Sequence, residues 1–197
     1  LIKRKLMNKN IPILHVDGSL TEYLDQKGIL HRVAGIGGYL VQNGKIIDKF
    51  YKVLKNMPYL HHHEDYAIIE GLKWIREKRI KAIKIKSDSL PSVMLFTHKK
   101  KNVTKTDKFF LMQYLAIEMD LDYVSLDYHG RSTDDLAHNL SRSYLKELPK
   151  GIVRLHAENR RKKFNYEILV VASEKCDFEV RQFLYNGMLE AFKKYQN

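Results

Sequence analysis

Cysteine is almost missing from this sequence, because Cys176 is the only one among 197 residues. A single thiol excludes an internal disulfide framework and fits a reducing compartment. Long apolar runs are missing as well, since no stretch approaches the roughly 18 apolar residues that a membrane-spanning helix needs. We therefore expect a cytoplasmic protein with no membrane partner, whose apolar content of 44% is enough for a folded core.

The motifs of several enzyme classes are also missing. No phosphate loop ending in Gly-Lys-Ser/Thr occurs, which argues against nucleotide hydrolysis, and no Gly-x-Ser-x-Gly nucleophile elbow occurs. The run His61-His62-His63 before Glu64 looks like a metal-binding motif. Consecutive residues at a helix start point in different directions, however, and rarely bind one ion. We interpret these histidines as structural polar residues.

Positive charge is what the sequence has in excess. Lysine and arginine number 35 against 23 acids, and the formal net charge is +12. So strong an excess favours a polyanionic partner such as nucleic acid. A lysine-rich surface that reflects only the base composition of the genome would give the same number, so charge alone leaves both interpretations open.

The spacing of apolar residues predicts an α/β fold with the element order βββαβαβα. Strands are expected at 11–17, 33–41, 45–54, 80–87 and 123–128, and helices at 63–78, 89–96 and 107–119. Asn43-Gly44 is a hairpin turn signal. The glycines of the second strand predict close approach of a neighbouring backbone.

Three segments are expected along the chain. Residues 1–10 form a basic N-terminal segment without the apolar core of a signal peptide. Residues 11–148 form the main domain. Residues 149–197 are expected to begin with a basic linker over 149–163 and to continue as a strand at 164–172 and an amphipathic helix over 180–195. That small βα extension is too short to fold alone.

Four acids occupy positions that suit a metal site. Asp17 ends the first apolar strand, Asp88 follows the fourth, and Glu64 heads the inward stripe of a helix. Periodicity selects Asp134 over its neighbour Asp135 as the inward acid of the last helix. Asp134 shares its face with Ser141, whereas Asp135 shares a solvated stripe with His138. Acids brought together from several elements repel one another unless a cation lies between them. The pattern therefore predicts divalent metal and phosphodiester hydrolysis.

Asp88 fits the strand pattern less well than the other acids. Simple alternation puts it on the face of Lys84 and Lys86 rather than that of Ile83 and Ile85. We keep Asp88 in the predicted site because the strand is expected to end at that point.

With these motifs in order, the chain resembles a type 1 ribonuclease H over about residues 11–148. Each motif is weak alone, but their order on the expected elements is a strong joint signal. They are Asp17-Gly18-Ser19, Gly35-Ile36-Gly37-Gly38, Glu64 with Ala67, Ile68, Gly71 and Leu72, Ser87-Asp88-Ser89, and Asp134-Asp135-Leu136-Ala137. The resemblance implies a ribonuclease H-like, five-stranded mixed sheet flanked by helices.

The resemblance also implies an activity, the metal-dependent endonucleolytic cleavage of the RNA strand of an RNA–DNA hybrid. Two Mg²⁺ or Mn²⁺ ions about 3.5–4 Å apart would serve an in-line displacement. By the resemblance, Asp17 bridges both ions, Glu64 and Asp88 bind one, and Asp134 binds the other. His129 would assist departure of the product, although a strand-end histidine without a role fits the sequence equally well.

The remaining expectations concern the hybrid. The lysines of the basic segment after the fourth strand, Lys99, Lys100, Lys101 and Lys105, match the region where some relatives carry a hybrid-binding basic element. Lysines gain affinity by releasing counterions from phosphate, whereas a solvated loop is the plainer interpretation. Ser19, Asn43 or nearby backbone would contact the RNA 2′-hydroxyl. The alternatives are a non-catalytic nucleic-acid-binding module with this fold, and a DNA-directed nuclease or integrase of the superfamily.

Overall fold

The computed structural model describes residues 10–24, 30–55, 57–130, 135–148, 153–160 and 163–170. The chain divides into two compact units. Among the described residues, the first unit contains those of 1–20 and 34–144, and the second contains those of 21–33 and 145–170. In the described part of the chain, no helix has the length and apolar character needed to cross a bilayer.

Five strands lie side by side in the order β3-β2-β1-β4-β5. They are β1 Ile13–Leu24, β2 Leu30–Gln42, β3 Lys45–Lys55, β4 Ala82–Ser87 and β5 Tyr123–Tyr128. The end of β1 and the start of β2 belong to the second unit. β4 runs parallel to both β1 and β5. The predicted mixed sheet and its strand order along the chain are confirmed.

The register of the parallel strands brings three chain positions to one level. Val16 of β1 lies opposite Ser87, the last residue of β4, and Ser87 lies opposite Tyr128 of β5. The residues that follow are Asp17, Asp88 and His129. The expectation that β1 ends at Asp17 is wrong, because β1 continues to Leu24 as the partner of β2.

The turn between β2 and β3 is the one that the sequence predicts. Asn43 has φ of 53° and Gly44 has φ of 73°. Positive φ at both central residues is characteristic of a type I′ hairpin turn, which matches the twist of the flanking strands.

Four helices accompany the sheet in the described part of the chain. They are α1 His63–Glu77, α2 Leu90–Phe96, α3 Lys105–Glu118 and α4 Asp135–Ser141, with 3₁₀ turns at Leu60–His62 and Ser143–Lys146. Pro91 lies in the first turn of α2, where its missing N–H costs nothing. Thr104 and Asp107 form a reciprocal capping box at the start of α3.

The core lies between the sheet and the helices. Apolar side chains of β1 and β4 meet the inward stripe of α1, and the fully buried members include Leu14, Val16, Ile83, Ile85, Ile68, Leu72 and Ile75. Gly71 of α1 lets the helix approach β1, since an added Cβ would lie 2.9 Å from Val16 and 3.0 Å from Leu14. The helix that carries Glu64 is therefore held tightly against the strand that carries Asp17.

The second unit contains a β-hairpin. Strand β6, Val153–Arg160, pairs antiparallel with β7, Lys163–Val170, and also with the end of β1, where Tyr23 lies opposite Arg154. Strand β6 falls inside the interval expected to be a basic linker, so that expectation is corrected. The predicted strand at 164–172 corresponds to β7. The predicted helix over 180–195 and the N-terminal residues 1–9 lie outside the described residues.

Candidate active site

Three of the four predicted acids converge. One carboxylate oxygen from each of Asp17, Glu64 and Asp88 lies within 4.8 Å of the other two. They come from β1, from the first turn of α1 and from the residue after β4. Asp17 is buried, with 6% of its surface exposed, whereas Glu64 and Asp88 are half-buried. The cluster therefore has a closed side at β1 and an open side toward solvent.

Gly18 brings the start of α1 to Asp17. An added Cβ at this position would lie 2.5 Å from the carbonyl oxygen of His63 and 2.9 Å from the backbone nitrogen of Glu64. The N–H of Gly18 donates a hydrogen bond of 3.1 Å to Oε2 of Glu64. The glycine that follows Asp17 thus positions a second acid of the cluster.

The position of Asp88 resolves the conflict with strand alternation. Ile83, Ile85 and Ser87 all point into the buried side, and β4 ends at Ser87. The Ser87 hydroxyl accepts a hydrogen bond from the N–H of Ser89 at 3.2 Å, which turns the chain after the strand. Asp88 therefore lies outside the pleat, where its carboxylate comes close to those of Asp17 and Glu64.

Helix α4 closes the buried side of Asp17. A Cβ added at Gly35 would lie 2.0 Å from the carbonyl oxygen of Ser141, and one at Gly37 would lie 2.4 Å from its backbone nitrogen. The glycines of β2 thus allow the close backbone approach that the sequence predicts. The Ser141 hydroxyl donates a 2.5 Å hydrogen bond to Oδ2 of Asp17, and Nδ1 of His138 lies 3.3 Å from the same oxygen.

The electrostatics of Asp17 favour a cation. Burial, together with the negative charge of Asp88, raises the pKa of Asp17 above its usual value, while the hydrogen bond from Ser141 and the nearby His138 act in the opposite direction. A cation between the carboxylates would remove this penalty. Three carboxylates offer only oxygen, the donor that hard divalent ions such as Mg²⁺ and Mn²⁺ prefer. The residues present therefore fit such an ion.

Two further residues of the predicted site are placed differently. Asp134 lies outside the described residues, directly before α4. His129 follows β5 and is half-buried, and its backbone N–H donates to the carbonyl of Ser87 at 3.0 Å. That bond sets His129 beside the backbone that leads to Asp88. The ring of His129 also lies edge-on to His15, with centroids 5.7 Å apart.

The residues expected to contact nucleic acid divide into two groups. Lys99, Lys101 and Lys105 are exposed, as is Asn43 in the β2–β3 turn. Lys100 instead forms a 2.7 Å ion pair with Asp107, which is 1% exposed. Ser19 donates a 2.8 Å hydrogen bond to the carbonyl of Ser141.

The histidine run and the helix α4 each contain something the sequence did not reveal. Nδ1 of His62 lies 2.7 Å from Oδ2 of the buried Asp65, which supports a structural role for this part of the run. The helix periodicity predicts a solvated position for His138, but its ring reaches Asp17. Ser141 is buried on the predicted inward face, and its hydrogen bond to Asp17 has no signal in the sequence beyond a serine at that inward position.

Comparison with known proteins identifies related sequences and folds. The family described as reverse transcriptase-like matches residues 30–144, more than half of the chain. The matched region includes Glu64 and Asp88. No curated protein sequence matches the chain.

Solved structures share the fold at low identity. A ribonuclease H1 from the halophilic archaeon Halobacterium salinarum NRC-1 is 17% identical with a TM-score of 0.59, over 70% of this chain and 98% of that one. The LC11 ribonuclease H1, isolated from compost and solved in complex with an RNA/DNA hybrid, is 16% identical with a TM-score of 0.58, over 69% and 97%. The N-terminal ribonuclease H domain of a Mycobacterium tuberculosis protein is 12% identical with a TM-score of 0.53, over 68% and 94%. These likenesses show the fold.

Proposed function

The chain belongs to the reverse transcriptase-like family and has the ribonuclease H fold, and on that premise we propose that it is a metal-dependent endonuclease that hydrolyses the RNA strand of RNA–DNA hybrids. The observation that carries the proposal is the convergence of Asp17, Glu64 and Asp88 within 4.8 Å. Three carboxylates from three elements are costly to hold together unless a cation joins them. We place this activity in the cytoplasm, since a chain with one cysteine fits a reducing compartment.

In this proposal Asp17, Glu64 and Asp88 hold Mg²⁺ or Mn²⁺, and Asp134 contributes to a second ion. Bound divalent metal supplies a nucleophilic water at neutral pH and offsets charge on the phosphate. The protein contributes geometry: Gly18 holds the Glu64 carboxylate beside β1, and Ser141 holds that of Asp17. The backbone N–H of His129 donates to the carbonyl of Ser87, the residue before Asp88. The proposed role of His129 is to assist departure of the product.

The proposed substrate rests on charge and on likeness of fold. A net charge of +12 favours a polyanion. The exposed Lys99, Lys101 and Lys105 are proposed to contact hybrid phosphates without reading sequence. Ser19 and Asn43 are proposed to lie near the RNA strand, where a 2′-hydroxyl distinguishes RNA from DNA. The LC11 enzyme, which shares the fold, was solved with an RNA/DNA hybrid.

The test compares labelled RNA–DNA hybrid, duplex RNA and duplex DNA as substrates, with Mg²⁺ or Mn²⁺. We expect cleavage of the hybrid alone. Asp17→Asn and Asp88→Asn should each lower kcat by more than the roughly 10–100-fold that loss of a hydrogen-bond partner of a metal ligand costs, because they alter a ligand itself. Asp120→Asn is the matched control, because Asp120 is an exposed acid paired with Arg76.

Hybrid cleavage that survives both substitutions would disprove the metal assignment. Binding of the hybrid without cleavage in either metal would favour the non-catalytic module instead. Cleavage of duplex DNA would favour a DNA-directed nuclease of the same fold.

A further inference from the structure

The Asp17 carboxylate has a hydroxyl partner in the protein interior. Oγ of Ser141 lies 2.5 Å from Oδ2 of Asp17, and the two residues are 1% and 6% exposed. A hydrogen bond from a hydroxyl to a carboxylate is short and about twice as strong as one between neutral groups. Burial excludes the water that would otherwise compete for the same oxygen.

The backbone of Ser141 is fixed independently of Asp17. Its carbonyl accepts a 2.8 Å hydrogen bond from the Ser19 hydroxyl. Gly35 and Gly37 pack against its carbonyl oxygen and its nitrogen, at distances that no Cβ would tolerate. The position of the Ser141 hydroxyl is thus set by β1 and β2, so the hydroxyl can orient the carboxylate rather than follow it.

The Ser141 hydroxyl has one hydrogen, and two acceptors of the described part of the chain lie within its reach. The carbonyl of His138 lies 2.9 Å from Oγ, and Oδ2 of Asp17 lies 2.5 Å from it. The charged and nearer acceptor takes the hydrogen, because bonds to ionised acceptors are the stronger ones.

The imidazole of His138 is the second group near Oδ2. Its side chain is 52% exposed and lies at 3.3 Å, so solvent screens its interaction with Asp17. Ser141 is therefore the dominant partner of this carboxylate.

We propose that Ser141 is a positioning residue, whose hydroxyl holds the Asp17 carboxylate in the orientation that binds metal. The inference rests on the proposed function of the acidic cluster. Hydrogen-bond partners of metal-binding carboxylates typically contribute about 10–100-fold to metal affinity or activity. Loss of the hydroxyl should therefore weaken metal binding while leaving the surface that would hold the hybrid unchanged.

The experiment measures Mn²⁺ binding by calorimetry on the full chain without nucleic acid, for the parent, Ser141→Ala and Ser143→Ala. Ser143 is the matched control, since its hydroxyl also bonds a helix carbonyl, that of Asn139 at 3.2 Å, but bonds no acid among the residues that the structure describes. We expect Ser141→Ala to raise the Kd for Mn²⁺ about tenfold and Ser143→Ala to leave it within about twofold. In hybrid cleavage, Ser141→Ala should raise the Mg²⁺ concentration for half-maximal rate by a similar factor without changing KM for the hybrid.

A second variant covers the case in which alanine disturbs folding. Ser141→Cys keeps the side-chain shape with a weak donor, and we expect it to weaken Mn²⁺ binding in the same direction. A Kd for Mn²⁺ within twofold of the parent, in a folded Ser141 variant, would overturn the positioning role while leaving the proposed function intact. Absence of Mn²⁺ binding by the parent protein would overturn both.

Discussion

The backbone N–H of Gly18 donates to Oε2 of Glu64 at 3.1 Å, so the residue after one acid of the cluster holds another. This contact requires the start of α1 to touch β1, and a glycine is the only residue that permits it. A Cβ at Gly18 would meet three backbone atoms of His63 and Glu64 at 2.5, 2.7 and 2.9 Å. These backbone atoms cannot move away without moving the helix, whereas the end of a flexible side chain could.

Gly18→Ala should therefore displace the start of α1 and move Glu64 away from Asp17. Overpacking of this kind costs about 1–3 kcal/mol of folding stability. We also expect weaker Mn²⁺ binding, with a free-energy change larger than the loss of folding stability. Chemical unfolding measures the folding stability, and calorimetry measures the affinity for Mn²⁺. Gly130→Ala is the control, since an added Cβ there would meet none of the described residues within 4 Å. Equal Mn²⁺ affinity in folded Gly18→Ala would contradict the assignment of Glu64.

Asp17 is predicted to destabilise the protein when no metal is bound. Burial and the charge of Asp88 raise its pKa, so its ionised form is the costly one. Stability from the protonated form is present at low pH and is lost as pH rises through the raised pKa. Asp17→Asn should thus raise the melting temperature of the metal-free protein at pH 7, and the difference should shrink toward pH 3.

The same variant should lose its response to metal. A ligand that binds only the folded state at 100 times its Kd adds about 2.7 kcal/mol of stability. We expect Mg²⁺ to raise the melting temperature of the parent protein but not that of Asp17→Asn. Asp120→Asn, an acid outside the cluster, should respond like the parent. A metal response retained by Asp17→Asn would argue against the site.

Much of the sheet could be predicted because its signals are local. The Asn43-Gly44 pair specifies its turn through backbone preferences alone. The glycines of β2 indicate close packing, although the sequence could not say that α4 is the neighbour. Asp17 looked like the end of a strand because Gly18 follows it. The strand continues instead, since pairing with β2 outweighs the weak strand preference of one glycine.

The second unit shows how composition can hide a pattern. Val153, Leu155 and Ala157 alternate with polar residues, which is the signature of a strand. The basic residues near 160–163 favour a linker interpretation, yet β6 occupies 153–160 and β7 begins at Lys163. The contact between Ser141 and Asp17 could not be predicted at all, because the two residues are 124 positions apart and are brought together by the packing of α4 on β1 and β2.

Lys100 is predicted to stabilise the fold rather than to bind nucleic acid. Burial opposes the ionisation of Asp107. Lys100, together with the backbone and hydroxyl of Thr104, nevertheless holds the pKa of Asp107 below its usual value. This stability is present above the ordinary pKa of 3.8 and is lost as pH falls through the lowered one. Lys100→Ala should cost about 1–3 kcal/mol at pH 7, because it leaves a buried carboxylate without its charged partner. Urea unfolding between pH 7 and pH 3 should show the difference narrowing in acid.

The exposed lysines should behave in the opposite way. Lys99, Lys101 and Lys105 are exposed, so alanine at each should change folding stability by less than about 0.5 kcal/mol. If each contacts one phosphate, each substitution reduces the salt dependence of hybrid binding, the slope of log K against log salt, by about 0.9. Binding of hybrid to catalytically inactive Asp88→Asn, measured across salt concentrations, tests this. Lys78→Ala is the control, since Lys78 pairs with Asp48 and lies over Trp74. Slopes that stay unchanged in all three variants would show that the hybrid binds elsewhere and that this segment is only a solvated loop.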